Sequence, residues 1–498
     1  MTSIIMRKRL TQLFFLAAFA FLLLVGRLVW LQLIYGEELE RNAWENRLRE
    51  IQVEAKRGDI CDRNGKVLVT SVSCDSVGAM PVQVVNPRET AAKLAPLLGM
   101  EEEKIYQRLT QRAGFVWIKR KVDFETAQQV RRLRLKGIEL VEESRRQYNC
   151  GSLAAHVLGF VGIDNQGLTG VELSYEKKLL GKPGRIVIEQ DAAGRDIPAA
   201  LHHLYPSVPG HNLLLTIDET IQYFVERELD KIVDTYRPVN AVIIVMDPKT
   251  GEILALGNRP AFEPGDWEDF PRKVWDRNPA LWQLYEPGST FKIVTAAAAL
   301  AEGAVGPNSR FYCPGFVRVA DRRIRCWKPG GHGSESLEEV VQNSCNPGFI
   351  EMGLGVGRDN FYKYVRAFGF GEPTGIDFPG EAGGMLQPVK KVGLVELATI
   401  SFGQGISVTP LQLLRALSAI ANGGYLMKPY LVKKIVDSNG NVVKEFKPVK
   451  IRQVISRKTS EELSRILESV VVNGSGIRAQ IPGYRVAGKT GTAEKPEA

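Results

Sequence analysis

A long apolar run near the N-terminus dominates the hydropathy pattern of the chain. Basic residues at 7–9 precede an uncharged run at 10–25, and residues 28–34 continue it with mostly apolar side chains. Arg27 interrupts the run close to its outer end, where its aliphatic stem can carry the charge to the membrane interface. A stretch of this length can cross a bilayer. We therefore predict a transmembrane anchor at 10–34, with residues 1–9 in the cytoplasm, because basic flanks stay inside.

A cleaved signal peptide is the alternative interpretation of this run. Ala18-Phe19-Ala20 resembles a cleavage site, but it lies inside the apolar run rather than after it. An uncleaved anchor is therefore favoured, and it predicts that the chain after about residue 35 is extracytoplasmic.

Polar and apolar positions divide the remaining chain into two domains. Residues 36–56 are charged and predict a helical stalk, residues 86–135 have a mixed helical pattern, and residues 145–205 are Gly-rich and loop-like. Asn64-Gly65 between two apolar stretches predicts a hairpin. Pro206, Pro209 and Gly210 favour a boundary, giving a first domain at 35–210 and a second at 211–498.

The second domain opens with a strong strand signal. Residues 241–246 form a buried-strand run, residues 247–251 predict a turn, and residues 252–256 predict the returning strand. Residues 289–301 predict a helix that is smooth enough to be buried on all sides. Ser336 and Glu339 have the spacing of a capping box that opens a further helix.

Composition narrows the class of protein only slightly. The chain has 498 residues and a net charge of +9, but its basic residues are spread out and no nucleic-acid-binding signature accompanies them. Disulfides are permitted outside the membrane but are not required. The six cysteines are Cys61, Cys74, Cys150, Cys313, Cys326 and Cys345.

Ser289 and Lys292 are the first candidate catalytic pair. Three residues apart at the start of a helix, they would share one face. A serine hydroxyl needs an adjacent base to become a nucleophile, and a lysine can act as that base when burial lowers its pKa. The pattern alone is weak, because Ser174 and Lys177 have the same spacing and predict only a solvated helix face.

Lys489-Thr490-Gly491, followed by Thr492, is the second candidate element. On a strand, Lys489 could hold a substrate carboxylate while Gly491 allowed a peptide backbone to approach closely. The same three letters occur at residues 249–251, where they predict an ordinary hairpin turn.

Ser344-Cys345-Asn346 is the third element and holds the only Ser-x-Asn in the chain. The order is Ser-x-x-Lys, then Ser-x-Asn 55 residues later (344 − 289), then Lys-Thr-Gly 145 residues further (489 − 344). This ordered set is typical of penicillin-binding proteins and serine β-lactamases.

The chain resembles the class B penicillin-binding proteins, which are peptidoglycan D,D-transpeptidases, over nearly its whole length. Three pairs of segments look like motifs of that class: residues 57–60 with 62–65, residues 156–160 with 167–172, and residues 401–405 with 409–410. Residues 325–333 and 341–349 look like the sporulation-specific stage V group within it; a vegetative division or elongation transpeptidase is the rival type.

The resemblance implies an α+β fold: an antiparallel sheet flanked by helices forms the transpeptidase domain at 211–498, behind an elongated dimerisation (pedestal) domain at 35–210 and one transmembrane helix. It implies that Ser289 is acylated by a stem peptide ending in D-Ala-D-Ala, or by a β-lactam, and that an amine then resolves the acyl-enzyme. In this mechanism Lys292 would accept the proton, Ser344 would relay it, and Asn346 would position the peptide. Lys489 and Thr490 would bind the carboxylate, and Gly491 would allow the substrate backbone to approach closely. The N–H groups of Ser289 and Thr492 would bind the oxyanion.

The resemblance also implies partners and raises one discrepancy. It implies binding to the cytoplasmic membrane and to a glycosyltransferase, with no metal, organic cofactor or nucleic acid. Only seven residues follow Gly491 (498 − 491), whereas the family continues with further strands and a helix, so we expect the transpeptidase domain to be incomplete at its C-terminus. A membrane-bound β-lactamase or β-lactam sensor and an inactive wall-synthesis scaffold stay as alternatives.

Cys326 and Cys345 suggest a redox pair, because Cys345 lies inside the Ser-x-Asn motif. A disulfide between them would pull on the loop that carries Ser344 and Asn346, so activity would require the reduced pair. The alternative is that Cys345 is only a small buried residue.

Overall fold

The computed structural model describes residues 2–189 and 203–493. The helices are α1 (Thr2–Val29), α2 (Gly36–Arg47), α3 (Pro87–Leu98), α4 (Glu102–Leu109), α5 (Phe124–Arg132), α6 (Ala155–Leu158), α7 (Gly170–Ser174), α8 (Glu176–Leu179), α9 (Glu219–Tyr236), α10 (Arg272–Trp275), α11 (Pro279–Trp282), α12 (Lys292–Ala301), α13 (Leu337–Gln342), α14 (Asn346–Val356), α15 (Arg358–Ala367), α16 (Leu394–Ser401), α17 (Pro410–Ala421) and α18 (Arg457–Asn473).

The strands are β1 (Leu48–Val53), β2 (Ile60–Cys61), β3 (Val67–Ala79), β4 (Val116–Val122), β5 (Ile138–Tyr148), β6 (Gly184–Glu189), β7 (His203–Tyr205), β8 (Asn212–Leu215), β9 (Ala241–Met246), β10 (Ile253–Arg259), β11 (Arg310–Cys313), β12 (Phe316–Val319), β13 (Arg322–Arg325), β14 (Gly333–Ser336), β15 (Tyr425–Met427), β16 (Val432–Val436), β17 (Val442–Glu445) and β18 (Lys450–Gln453). By contacts, the chain forms two compact units. The first holds residues 1–55 and 182–208, and the second holds residues 56–181 and those from 209 onward.

The first unit contains the apolar N-terminal helix and a small sheet. Residues Ile4–Ile34 are long and apolar enough to cross a membrane, and α1 continues into a π-helical turn at Trp30–Ile34. The helix already begins at Thr2, so the basic residues at 7–9 are helical as well, and the anchor bounds of 10–34 stay a prediction. The predicted stalk helix ends at Arg47, since residues 48–53 pair antiparallel with β6 as strand β1.

A seven-stranded sheet runs through the second unit in the order β17-β16-β8-β2-β3-β4, with β5 paired to β3. β2 and β8 are parallel, and the other neighbours are antiparallel. The hairpin predicted at Asn64-Gly65 joins β2 to β3, and Gly65 adopts the positive φ of +90° that this turn requires. The sheet includes strands from both sides of residue 210, and the domain boundary proposed there stays a prediction.

Two stretches of the first half differ from the sequence predictions. The helical pattern at 86–135 is interrupted by β4 between α4 and α5, because residues 116–122 complete the sheet against β3. The described part of the loop-like stretch 145–205 contains three short helices, the end of β5, and strands β6 and β7. Strands β4, β6 and β7 are stabilised by pairing with other strands, which local propensity does not register.

A buried ionic network ties two of the sequence motifs together within this unit. Glu172 is fully buried and accepts hydrogen bonds from Arg57 Nε at 2.6 Å and from Arg146 Nε at 2.7 Å. Arg57 also donates to the backbone oxygens of Glu172 at 2.9 Å and Asn165 at 3.0 Å. The motif at residues 57–59 and the motif at residues 170–172 are thus joined by the buried contact between Arg57 and Glu172.

Replacing Glu172 by alanine is expected to destabilise this unit strongly. Two buried guanidinium groups would lose their shared carboxylate, although Arg57 would keep its ion pair with Glu176 at 2.6 Å. Breaking a buried ion pair by removing one partner typically costs about 3–5 kcal/mol. Guanidinium chloride unfolding of the detergent-solubilised chain, followed by tryptophan fluorescence, should show a lower midpoint. Glu89→Ala is the matched control, because Glu89 pairs with Lys93 on the exposed face of α3 and little change is expected. Equal midpoints for the two variants would contradict the expectation.

The helical part of the second unit has its own hydrophobic core around α12. Ala296, Ala297, Ala298 and Ala299 are fully buried, as the smooth sequence of this helix predicted. α14, α15 and α18 pack against α12. The predicted strand pair is confirmed as β9 and β10, and the predicted capping box at Ser336 and Glu339 opens α13.

Candidate active site

Ser289 lies in a single 3-10 turn, Gly288–Thr290, that leads directly into α12. Gly288 has a φ of +53°, and a Cβ there would overlap the carbonyl oxygen of Thr492. A glycine is therefore required, because an L side chain would meet both an unfavourable φ and a backbone contact. The Gly288 N–H also donates to the Gly403 oxygen at 3.0 Å. The turn that carries Ser289 is thus held against two distant backbone segments.

Lys292 occupies the first position of α12 and its side chain is fully buried. Its Nζ donates to the backbone oxygen of Ser344 at 2.7 Å, to Ser344 Oγ at 3.0 Å and to Asn346 Oδ1 at 2.7 Å. Burial, followed by repulsion from Lys489, lowers the pKa of Lys292 to about 7. Lys292 can therefore lose its proton near neutral pH and act as a base.

Ser344 lies in the tight connection between α13 and α14. Its φ of +52° is in the left-handed region, which a non-glycine residue enters at an energetic cost. Asn346 begins α14 and donates from Nδ2 to the Arg325 oxygen at 3.2 Å. The strained connection aims Ser344 and Asn346 at the same amine of Lys292.

The Lys489-Thr490-Gly491 segment reaches the site, but it does not form the predicted strand. Residues 485–493 are assigned to neither a helix nor a strand. A Cβ on Gly491 would lie 2.6 Å from Thr290 Cγ2, so the glycine permits close approach to the Ser289 turn. Thr490 Oγ1 contacts Ser475 Oγ at 3.2 Å, and Lys489 Nζ donates to the Thr490 oxygen at 2.9 Å. Side-chain and backbone contacts, rather than a sheet, hold this segment.

Burial also changes the second lysine of the site. It lowers the pKa of Lys489 to about 8. Lys489 therefore still carries a positive charge at neutral pH, where the pKa of Lys292 places its amine near half-protonation. The two lysines thus suit different tasks, one as a base and one as a cation for a carboxylate.

The three motifs enclose one cleft of about 420 Å³. Among the predicted site residues, Ser289, Ser344, Asn346, Thr490, Gly491 and Thr492 line it. Lys292 lies buried against Ser344 and Asn346, and Lys489 adjoins Thr490. The cleft also has walls that sequence reasoning did not assign to the site: Trp327, Asn343, Phe402, Gln404 and Ser475. Phe402 and Gln404 belong to the 401–405 motif, so the family resemblance could have indicated that these two residues lie at the site.

The two decoy motifs lie outside this cleft. Ser174 is exposed at the end of α7, as the solvated-face interpretation predicted. Lys249 lies in the turn between β9 and β10, where its N–H donates to Asp247 Oδ1 at 2.9 Å and Gly251 has a φ of +82°. The fold therefore distinguishes the motifs at Ser289 and Lys489 from their copies at Ser174 and Lys249, which the local sequence alone could not do.

Cys326 and Cys345 are both free thiols, and no disulfide occurs in the part of the chain that the structure describes. They lie close together beside the Ser344 connection, in a cluster with Cys313 and His332. The redox pair therefore stays a prediction, and the two further side chains of the cluster were not expected from the sequence.

Comparisons with known proteins agree over both halves of the chain. Residues 241–497 match the penicillin binding protein transpeptidase domain, and residues 52–215 match the penicillin-binding protein dimerisation domain. The stage V sporulation protein D of Bacillus subtilis is 44% identical over 99% of this chain and 77% of its own length. The peptidoglycan D,D-transpeptidase FtsI of Escherichia coli K12 is 33% identical over 96% of this chain and 80% of its own length.

A solved structure extends the similarity to the fold. A peptidoglycan synthetase from Bifidobacterium adolescentis superposes with a TM-score of 0.71 at 28% identity, covering 91% of this chain and 87% of that one. The predicted fold class, a penicillin-binding transpeptidase domain with a pedestal domain and an N-terminal apolar helix, is confirmed. The chain belongs to the class B penicillin-binding proteins.

Proposed function

We propose that this protein is a peptidoglycan D,D-transpeptidase that works through an acyl-enzyme on Ser289. The carrying observation is Lys292, a fully buried amine with a pKa of about 7, one helical turn from the nucleophile and bonded to Ser344 and Asn346. This is the arrangement that a serine needs to be activated near neutral pH without a histidine.

Acylation begins with attack of Ser289 Oγ on the penultimate carbonyl carbon of a stem peptide ending in D-Ala-D-Ala. The hydroxyl proton passes to Lys292 Nζ as the C–O bond forms. The N–H groups of Ser289 and Thr492 would bind the developing oxyanion. The contact between Gly288 and the Thr492 backbone supports this pairing, because it brings the two segments together at the nucleophile.

Breakdown of the tetrahedral intermediate cleaves the peptide C–N bond. Ser344 Oγ lies 3.0 Å from Lys292 Nζ and can pass the proton onward to the departing amine. Free D-alanine then leaves with that proton, and Ser289 stays esterified. An amine from a neighbouring stem peptide attacks the ester, forms the cross-link amide and returns the proton to Ser289.

Lys489 and Thr490 supply the binding site for the terminal carboxylate. Lys489 is positively charged at neutral pH, and Thr490 offers a hydroxyl on the cleft wall. A β-lactam has a carboxylate at the matching end, so it would enter the same site and acylate Ser289. The serine-type mechanism and penicillin sensitivity therefore follow from one geometry.

The setting of the reaction follows from the N-terminus and from the relatives. The apolar helix indicates a single-pass membrane protein. The basic residues before it favour a cytoplasmic N-terminus and an extracytoplasmic catalytic domain. The similarity to stage V sporulation protein D favours wall synthesis in the spore cortex. A glycosyltransferase that supplies uncross-linked strands is the partner that this chemistry needs.

Adduct mapping on the full chain in detergent tests the proposal. After incubation with penicillin and trypsin digestion, mass spectrometry should find the penicilloyl group on the peptide of residues 278–292, which contains Ser289. A synthetic pentapeptide with an acceptor amine should release D-alanine and give a cross-linked product. An adduct elsewhere, or no adduct, would contradict the mechanism. Rapid hydrolysis of nitrocefin would favour a β-lactamase instead.

A further inference from the structure

Four potential metal ligands converge next to the active-site cleft. Cys313 ends β11, Cys326 follows β13, His332 precedes β14, and Cys345 precedes α14. One ligand atom from each lies within 4.8 Å of the corresponding atoms of the other three. All four side chains are buried, with that of His332 only 3% exposed. Four separate segments of the chain therefore bring their ligand atoms to one small volume.

The spacing within the cluster fits a tetrahedral ion. Cys326 Sγ lies 3.6 Å from His332 Nδ1. Zinc–sulfur bonds of about 2.3 Å and zinc–nitrogen bonds of about 2.0–2.1 Å at a tetrahedral angle give a separation of about 3.6 Å. Small shifts of the other thiols would complete the shell, since the cluster is already compact.

Neighbouring polar atoms argue against a merely apolar pocket. The buried atoms Glu335 Oε2 and His332 Nε2 have no hydrogen-bond partner among the residues that the structure describes. Glu335 Oε2 lies 3.9 Å from His332 Nδ1, while its other oxygen accepts from Asn343 Nδ2 at 2.9 Å. Buried polar atoms are normally satisfied, and an ion held by the thiols and His332 Nδ1 would place a compensating positive charge beside the Glu335 carboxylate. A carboxylate and an imidazole beside three thiols indicate a site for positive charge.

We propose that Cys313, Cys326, His332 and Cys345 bind one zinc ion in a closed, structural site. Three thiolates with one imidazole form a ligand set characteristic of structural zinc, and a fourth protein ligand leaves no open position for catalysis. Binding forms three Zn–S bonds and one Zn–N bond, and the three thiol protons pass to solvent. The expectation from family resemblance that no metal is needed is revised on this point.

The proposed ion would hold in place residues that adjoin the active-site cleft. Cys345 lies between Ser344 and Asn346, the two residues that contact Lys292. Trp327 follows Cys326, packs its ring 5.4 Å from that of His332 and donates to the Asn343 oxygen at 2.9 Å. Zinc would therefore fix one wall of the cleft and the strained Ser344 connection. This consequence rests on the proposed transpeptidase function, whereas the metal site itself does not.

Metal analysis of the full chain, purified in detergent under reducing conditions, tests the proposal. We expect about one zinc ion per chain. Cys313→Ser should lower zinc affinity by at least the roughly 10–100-fold that loss of even a second-shell partner causes. Cys150→Ser is the matched control and should keep the metal, because Cys150 lies outside the cluster. Equal zinc binding by Cys313→Ser and wild type would overturn the proposal.

Cobalt substitution keeps the test independent of the folding of any variant. Wild-type chain loaded with Co²⁺ should show a thiolate-to-cobalt charge-transfer band and the d–d bands of a tetrahedral site. A wild-type chain that binds neither Zn²⁺ nor Co²⁺ after reduction, or that contains a Cys326–Cys345 disulfide in place of metal, would overturn the proposal. Ser289→Ala should bind zinc normally, so failure of the metal site and failure of the transpeptidase mechanism can be told apart.

Discussion

Ser289→Ala is expected to abolish covalent labelling by a fluorescent penicillin, while Ser174→Ala is expected to label as the wild type does. Only the first serine combines a cleft position with a buried lysine one turn later. Removal of its Oγ leaves no atom to form the ester, and the rest of the cleft cannot replace it. Fluorescence of the labelled band on a denaturing gel measures the effect directly.

The comparison of the two serines is informative because their local sequences match. Each is followed by a lysine three residues later, but Ser174 is exposed at the end of a short helix. Thermal unfolding of both variants should resemble that of the wild type, which excludes misfolding as the cause of lost labelling. Residual labelling of Ser289→Ala at the wild-type level would place the nucleophile elsewhere.

The sequence predicted local features well where short-range chemistry decides them. The Asn64-Gly65 hairpin and the Ser336 capping box occur as expected. The β9–β10 pair also does, because its apolar run is bounded by strong turn residues. Strands β1 and β4 were missed, since they are specified by partners far away in the chain.

The candidate site was predictable as a set of motifs but not as a geometry. Its three elements are separated by 55 and 145 residues, and only the fold shows that they share a cleft. The left-handed conformation of Ser344 could not be anticipated, because serine has no preference for a positive φ. The Lys489 segment was considered as a strand, but residues 485–493 have no strand assignment.

Only two of the four side chains in the cysteine cluster were recognised from the sequence. Cys326 and Cys345 were noticed as a pair because one lies in a motif. Cys313 lies 13 residues before Cys326 (326 − 313), and His332 lies 13 residues before Cys345 (345 − 332). The cysteines lack the short Cys-x2–4-Cys spacing of familiar zinc motifs, so the ligands become visible only when β11 and β14 pair and bring the segments together.

The pH dependence of acylation should reveal the two lysines as opposite limbs of one profile. Lys292 must be neutral to accept the Ser289 proton, so the acylation rate constant should rise as pH increases through about 7. Lys489 must be charged to hold the carboxylate, so the rate constant should fall as pH increases through about 8. Stopped-flow acylation by a chromogenic β-lactam, measured from below pH 7 to above pH 8, should give a narrow bell-shaped curve.

Lys292→Met tests the role of the general base while leaving the other groups of the site in place. Methionine fills similar space but cannot accept a proton, so acylation should slow by about 10²–10⁴-fold, the usual contribution of a general base. The rising limb near pH 7 should disappear, while the falling limb assigned to Lys489 should remain. Lys177→Met, at the exposed decoy, should leave the rate and the profile unchanged. A variant that keeps the rising limb would show that another group accepts the proton, because methionine has no ionisable atom with which to produce it.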